Sequence, residues 1–337
     1  VASDILSSVL SAVRLTGALF FDVAARAPWV AEAPPARMLG PLLLPGSEHV
    51  IEYHVVTEGS CWASLVGEPA IELGQGDIVV FPQGDAHVMS SAPGMRGPAD
   101  IEQFRIPNGY PLPIAIELGE SGDSAHLVCG FLGCDVTPFN PLLATLPRLL
   151  CRRRSSTETE LDSLVRLALS ESTRSRPGSE CVLARLSEVL FLEVVRQHVA
   201  AAPMESAGWL AGLRDQHVGR ALAHLHRQPA HPWTLDELAR DTGLSRSMLA
   251  ERFTQLVGEP PMQYLAKWRM QLAAGLLTRT SASLAEVSAR VGYTSEAAFS
   301  RAFKRLVGVA PAFYRQGRTV KADTLGGSEV KAELTGD

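Results

Sequence analysis

Thr234-Leu-Asp-Glu-Leu-Ala-Arg-Asp-Thr-Gly243 returns 49 residues later as Ser283-Leu-Ala-Glu-Val-Ser-Ala-Arg-Val-Gly292. Past the glycine the echo continues at an offset of 50, where Leu249, Phe253, Leu256, Val257, Gly258, Pro261 and Tyr264 match Phe299, Phe303, Leu306, Val307, Gly308, Pro311 and Tyr314. A near-repeat of this length is one supersecondary unit used twice. Thr234 and Ser283 read as helix N-caps, each followed three residues later by a glutamate, Glu237 or Glu286, at capping-box spacing. Gly243 and Gly292 permit the left-handed conformation that ends a helix. A second cap follows within a few residues, at Ser245 in one copy and at Thr294 or Ser295 in the other. Two short helices joined by a tight glycine-containing turn are a helix-turn-helix.

The second helix of each pair buries an i, i+4, i+7 triplet, Leu249/Phe253/Leu256 or Phe299/Phe303/Leu306. The opposite face is mostly polar: Arg246, Ser247, Ala250 and Glu251 in the first, Ser295, Glu296, Ser300, Arg301 and Lys304 in the second. Short side chains flanked by arginines suit a helix that enters a major groove about 12 Å wide. The stretch 261–277 reads as one helix linking the pairs. A rigid link would let the two helices meet successive grooves about 34 Å apart.

Charge supports this reading once it is divided. Residues 209–320 hold 15 Lys and Arg against 8 Asp and Glu, leaving 16 against 28 elsewhere, so a basic C-terminal module sits beside an acidic remainder in a chain of net charge −5. Affinity for polyphosphate belongs to one end. No run of about 18 apolar residues marks a membrane span. The first Arg is Arg14, preceded by Asp4, which is not the order of a secretory leader, so the expected location is cytoplasmic.

Residues 215–316 resemble the DNA-binding domain of AraC/XylS regulators. The most specific stretches are Val291-Gly-Tyr-Thr-Ser295, Phe299-Ser-Arg-Ala-Phe-Lys304 and Gly308-Val-Ala-Pro311 followed by Tyr314-Arg315. The resemblance implies base-facing roles for Ser247, Ala250 and Glu251 in the first unit and for Glu296, Ala297, Ser300 and Arg301 in the second. Glu251 departs from the family's usual Arg. A carboxylate there accepts chiefly from cytosine N4 and repels phosphate, and the neighbouring Arg252 is expected to substitute in part. The implied partners are promoter DNA, RNA polymerase, a small-molecule or oxidant effector and a second copy of the chain.

With 337 residues the chain has length for about two domains. Residues 1–30 read as an amphipathic segment, with Ile5, Val9, Ala12 and Val13 at helical spacing and Pro28, Pro34 and Pro35 ending it. From about 37 to 135, short β-branched runs broken by Gly, Pro and Asp predict an all-β barrel or sandwich: 50–56, 61–66, 78–81 and 126–132. Helical periodicity resumes at about 141. Leu161, Leu164, Val165, Ala168 and Leu169 form one face and Val182, Leu186, Val189, Leu190 and Val194 another, for a dimer surface or for packing. Arg152, Arg153 and Arg154 read as a solvated helix end or an interface rim. The expected architecture is α+β: a sensor domain at 1–140, a helical linker or dimerisation region at 141–208, the double helix-turn-helix at 209–316, and a disordered tail at 317–337.

The strand region resembles the cupin-type sensor domain fused upstream in that family. Glu52-Tyr-His-Val-Val-Thr-Glu-Gly59 stands for the first cupin motif, and Gly76-Asp-Ile-Val-Val-Phe-Pro-Gln-Gly-Asp-Ala-His87 matches the second more closely. The paired histidines of metal-binding cupins are missing from the first. Period-2 alternation places Glu52, His54 and Val56 on one strand face. His54 and His87 with Cys129 and Cys134 are candidate ligands for zinc or another divalent metal. Buried, hydrogen-bonded core residues are the alternative, and Cys129 with Cys134 a redox pair the third. Three functions follow: a signal-responsive regulator, a constitutive DNA binder with a purely structural barrel, and a metal-dependent cupin enzyme.

Overall fold

The computed structural model describes residues 5–13, 15–104, 113–136, 138–155, 160–172, 176–201 and 208–316. The expected hinge at 200–206 and the tail at 317–337 lie almost wholly or wholly outside the described residues. The described residues form two compact units, one drawn from 14–135 and 146–201, the other from 1–13, 136–145 and the chain from 202 onward. These units do not follow the sequential divisions 1–140, 141–208 and 209–316.

The amphipathic segment expected over 1–30 is a helix only in its first part. α1 (Ile5–Ala12) buries Ile5, Val9 and Ala12. The chain then becomes an eleven-residue strand, β1 (Thr16–Arg26). Phe20, Phe21 and Val23 are of the aromatic and β-branched types enriched in strands.

In the first unit β1 is followed by β2 (Val30–Ala33), α2 (Ala36–Leu43), β3 (His49–Glu58), β4 (Ser60–Leu65), β5 (Ile71–Gly74), β6 (Ile78–Phe81), β7 (His87–Ser90), β8 (Ile114–Leu118), β9 (Ser124–Cys134) and β10 (Leu150–Arg152). Six strands pair in the order β10-β6-β3-β9-β1-β8 and four in the order β2-β7-β4-β5. β3 and β9 lie at the middle of the larger sheet, antiparallel, with His54 opposite Cys129.

Both faces of β3 are buried, which explains why its sequence runs apolar rather than alternating. Val50 and Val56 join Phe81, Phe131 and Leu127 in the interior core. Tyr53, on the opposite face, reaches α4 (Ser179–Ala201), where its hydroxyl lies 2.7 Å from Ser187 Oγ. α3 (Glu160–Ser172) packs beside α4, and α4 lies against β1. Leu183, Leu186, Leu190, Phe191, Val194 and Val195 make the buried face of α4. Val182 and Val189, expected on that face, are instead 41% and 43% exposed. The arginine triplet is also not a helix end, because Arg152 closes β10. Arg153 Nη1 donates to Asp77 Oδ2 at 2.8 Å and Arg154 N to Asp77 Oδ1 at 2.7 Å, tying the strand end to the Gly76-Asp77 turn.

The second unit is helical: α5 (Trp209–Arg214), α6 (Gln216–Arg227), α7 (Leu235–Thr242), α8 (Arg246–Val257), α9 (Pro261–Arg279), α10 (Leu284–Arg290) and α11 (Glu296–Val307). α1 belongs here, its apolar face covered by α6 and α9. Its C-terminal carbonyl at Ala12 accepts from Gln271 Nε2 and Arg279 Nη2, each at 3.1 Å. The same Gln271 side chain accepts from Phe139 N at 2.9 Å. One buried amide therefore satisfies backbone groups from two distant segments that would otherwise stand unpaired.

Candidate nucleic-acid interface and barrel cluster

The two helix pairs are α7–α8 and α10–α11. Thr234 Oγ1 caps α7 by accepting from Glu237 N at 3.2 Å, and Gly243 ends it at φ 76°. Ser283 and Glu286 form the complete capping box, with Glu286 Oε2 accepting from Ser283 N at 2.7 Å. In the first unit the box is half made, since Glu237 Oε1 turns to His231 Nε2 at 2.9 Å. The second helices start at Ser245, which accepts from Met248 N at 3.3 Å, and at Ser295, which accepts from Ala298 N at 3.2 Å. Ser295, not Thr294, is the cap.

α8 turns Leu249 and Phe253 inward, and α11 turns Phe299, Ala302 and Phe303 inward. At 100° per residue, Ser247 and Glu251 stand about 160° from Leu249, and Ala297 and Arg301 about 160° from Phe299. Arg246, Ser247 and Glu251 are exposed, as are Ser295, Glu296, Ala297, Arg301 and Lys304, while Ala250 and Ser300 are half-buried on the flanks. Arg301 and Lys304 have no hydrogen-bond or ion-pair partner among the described residues. Arg246 lies 3.7 Å from Asp236, both exposed, so the pair holds it weakly.

Arg252 differs from its neighbours. It lies about 60° from Leu249 on the helical wheel, and its Nε and Nη2 donate to Asp215 Oδ2 at 2.9 and 2.6 Å. Asp215 also caps α6, its Oδ1 accepting from His217 N and Val218 N. Burial pushes the Asp215 carboxyl up, but the bonds from Arg252 and the two amides outweigh it and hold it below the usual range. Arg252 is thus committed within the fold rather than standing in for Glu251.

α9 joins the pairs rigidly. Its Arg269 donates to Pro229 O at 2.7 Å and to His231 O at 2.8 Å in the loop before α7, while the Tyr293 ring stands 5.8 Å away. Gly292, in the turn between α10 and α11, meets that loop directly: a Cβ there would come 2.4 Å from Ala230 O. Neither Arg269 nor the Gly292–Ala230 approach figures in the repeat, because each acts between the copies.

In the barrel, His54 and His87 come together and Glu52 joins them. His54 Nε2 lies 2.9 Å from His87 Nε2, and Glu52 Oε2 lies 3.8 Å from the same His87 atom. His87 Nδ1 faces the Asp85 carbonyl at 3.1 Å, so it carries the proton and Nε2 accepts from His54 Nε2–H. His54 Nδ1 is then an acceptor, 2.7 Å from the Cys129 thiol. Burial holds the His54 imidazole well below its usual range, and His87 down to about 4. Phe81 stacks on His87 at 3.7 Å between centroids.

Glu52 is the residue that sequence reasoning placed on this face without counting it as a ligand. It is 1% exposed, neither carboxyl oxygen has a hydrogen-bond partner among the described residues, and burial pushes it up to about 8. Cys129 stands behind His54 rather than beside the Nε2 atoms. Cys134 is elsewhere: it lies five residues along the same strand from Cys129, about 16 Å at strand rise and on the other face. A disulfide needs Cα atoms within about 7 Å, so the Cys129–Cys134 redox pair is excluded. Among the described residues no three His, Cys, Asp or Glu side chains already surround a common point for a metal ion.

Two capped helix pairs on one connector, continuous with a two-sheet barrel, define a helix-turn-helix regulator carrying a sensor-type domain. The chain matches the Cupin family over residues 4–200 and the helix-turn-helix domain family over residues 238–317. It is 33% identical over 275 residues to an AraC-like transcription regulator of Streptomyces lividans, covering 80% of this chain and 88% of the relative. It is 32% identical to the HTH-type transcriptional regulator AlkR of Acinetobacter baylyi, covering 78% and 87%. A solved structure, the DNA-binding domain of the global transcriptional factor AdpA in complex with a target DNA, is 29% identical, with 32% of this chain and 96% of that chain covered at a TM-score of 0.30. The chain belongs to the AraC-like family of transcription regulators, with a cupin N-terminal domain and a DNA-binding helix-turn-helix region. No helix among the described residues is long and apolar enough to cross a membrane.

Proposed function

We propose that α8 and α11 each enter a major groove of a promoter, and that occupancy of the barrel changes how well they bind. The observation that carries this is the pair of exposed ridges with their connector: Arg301 and Lys304 project without partners among the described residues, while Arg269 and Gly292 hold the two turns against one another. In this reading Arg301 contacts a base edge, Lys304 a phosphate, and Ser247, Glu251, Glu296, Ala297 and Ser300 complete the contacting faces. Arg246 flanks the first ridge, Ala250 leaves room beside it, Arg252 positions α8 through Asp215, and Ser295 caps α11. RNA polymerase, a second copy of the chain and a cytoplasmic setting are part of the same proposal.

The barrel is read as a sensor rather than an enzyme. Its polar cluster is buried in the interior core beside Phe81, with Glu52 and His87 each 1% exposed and His54 7%. Glu52, His54 and His87 are of the donor types that a divalent transition metal takes but do not surround a common point among the described residues. In this reading they would close on an ion, with Cys129 accepting from His54 Nδ1 once that nitrogen carries the proton. The fit rests on the two unpartnered oxygens of Glu52, since a buried carboxylate with no donor is what a cation would satisfy. When bound, the ion would supply positive charge to that carboxylate and link β3 to β7.

The test is selection of bound duplexes from a random DNA pool by the purified chain, with and without added zinc or an oxidant. Enrichment of one site, with an affinity that changes under one condition, is the expected result. Enrichment unaffected by any condition favours the constitutive binder, and no enrichment removes the assignment of α8 and α11.

A further inference from the structure

The charge on the first ridge runs against its ligand. Glu251 sits in the second turn of α8, too far from the N-terminus to gain from the helix dipole. Glu296, by contrast, is the first residue of α11 and is favoured there by that dipole. Among the described residues no cation pairs with Glu251. Its partner among them is the Gln255 amide, which donates to Glu251 Oε1 at 3.2 Å from one turn on, while the adjacent guanidinium of Arg252 is held by Asp215. On this side of α8 Ser247 is short, Ala250 is half-buried, and Met248 and Gln255 are exposed beside it, so Glu251 presents a carboxylate at the middle of the ridge. Near a polyanion an unpaired acid costs affinity everywhere except where a base edge offers a donor.

Building on the assignment of α8 to a major groove, we infer that Glu251 is a specificity-determining residue that selects cytosine through its exocyclic N4 amine. In the major groove that amine is the only hydrogen-bonding group of cytosine and it is a donor, whereas guanine presents only acceptors there and thymine an acceptor and a methyl group. Adenine offers an amine beside the N7 acceptor, which would face the carboxylate with like polarity. The carboxylate therefore excludes three bases and accepts one. α11, with Lys304 and Arg305 exposed, adds attraction to the backbone beside the base contact of Arg301, and α8 adds discrimination at a cost in general affinity.

The experiment compares the wild-type chain, Glu251→Ala, Glu251→Gln and Arg301→Ala in selections from the same random duplex pool, followed by affinities for the enriched site and a scrambled duplex. Glu251 is exposed, so its variants are expected to keep the wild-type melting temperature. Glu251→Ala should lose preference for cytosine at one position by about 5-fold or more and bind the scrambled duplex more tightly. Glu251→Gln should move the preference at that position to adenine, which a carboxamide bonds at N6 and N7. That position should lie about one helical turn from the one relaxed by Arg301→Ala. A Glu251→Ala chain that binds site and scramble more tightly by the same factor, with every base preference intact, makes the carboxylate a phosphate repellent and overturns the inference alone. Absence of any enriched site for the wild-type chain overturns it together with the reading of α8 and α11.

Discussion

Gly292 and Ala230 touch backbone to backbone across the two helix-turn-helix units, with φ 81° at the glycine and room for no Cβ before the Ala230 carbonyl. The contact joins the turn of the second unit to the loop that enters the first. Together with Arg269, which donates to the carbonyls on either side of Ala230, it makes the pair of units one body rather than two beads on α9.

Gly292→Ala is therefore expected to cost about 2–4 kcal/mol, combining left-handed strain with overpacking against backbone that cannot swing aside. Chemical denaturation measures the loss. Gly243→Ala, where no atom lies within 4 Å of the added Cβ, should cost only the strain, about 1 kcal/mol. Equal losses at the two glycines would remove the Ala230 contact from the account.

Arg301→Ala should cost about 1–3 kcal/mol at the specific site and relax preference at one base position. Lys304→Ala should weaken all sequences alike and reduce the slope of log K against log salt by about 0.9. Titrations at three salt concentrations separate the two. An unchanged slope for Lys304→Ala would count against a phosphate contact.

His226 gives the DNA-binding unit a pH dependence. The ring sits between Ser8 Oγ at 2.6 Å and Tyr264 OH at 2.7 Å, with Trp268 over its face, and burial lowers it to about 3. A depressed base stabilises the fold above its unfolded value of about 6.5, and the contribution is lost as pH falls toward the folded value. Between those limits unfolding takes up a proton, so stability should fall by up to about 1.4 kcal/mol per pH unit. Denaturation midpoints from pH 7 to pH 4 should be flatter for His226→Gln than for the wild type. Parallel curves would show that the ring titrates normally.

The cysteines should react in order of exposure. Cys181 is exposed, whereas Cys61, Cys129 and Cys134 are buried, with thiols that burial pushes up. Timed alkylation read by mass spectrometry should label Cys181 first and the other three only with denaturant. Rapid labelling of Cys129 in the native chain would reopen thiol chemistry at His54.

Much of this was legible in the repeat. Caps, glycines and apolar triplets are local signals with a fixed period, so α7, α8, α10 and α11 and the polarity of their faces follow from them, and the barrel strands follow from β-branched runs between turns. What escaped was set by distant partners. α1 and β1 share one apolar stretch whose halves are divided by what each packs against. Arg252 looked free until Asp215, 37 positions earlier, took its charge. Cys129 and Cys134 looked paired by spacing until a continuous strand held them apart. Glu52 stood in plain view beside His54, and only the absence of a donor for its oxygens among its buried surroundings marks it as unusual.

The central claim is that α8 and α11 read one face of a duplex in register. Dimethyl sulfate interference on the selected site tests it most directly, because methylation of guanine N7 blocks a side chain in the major groove. Within one protomer's site the account predicts two clusters of interference about 10–10.5 bp apart. A single cluster, or two separated by about half a turn, would contradict it.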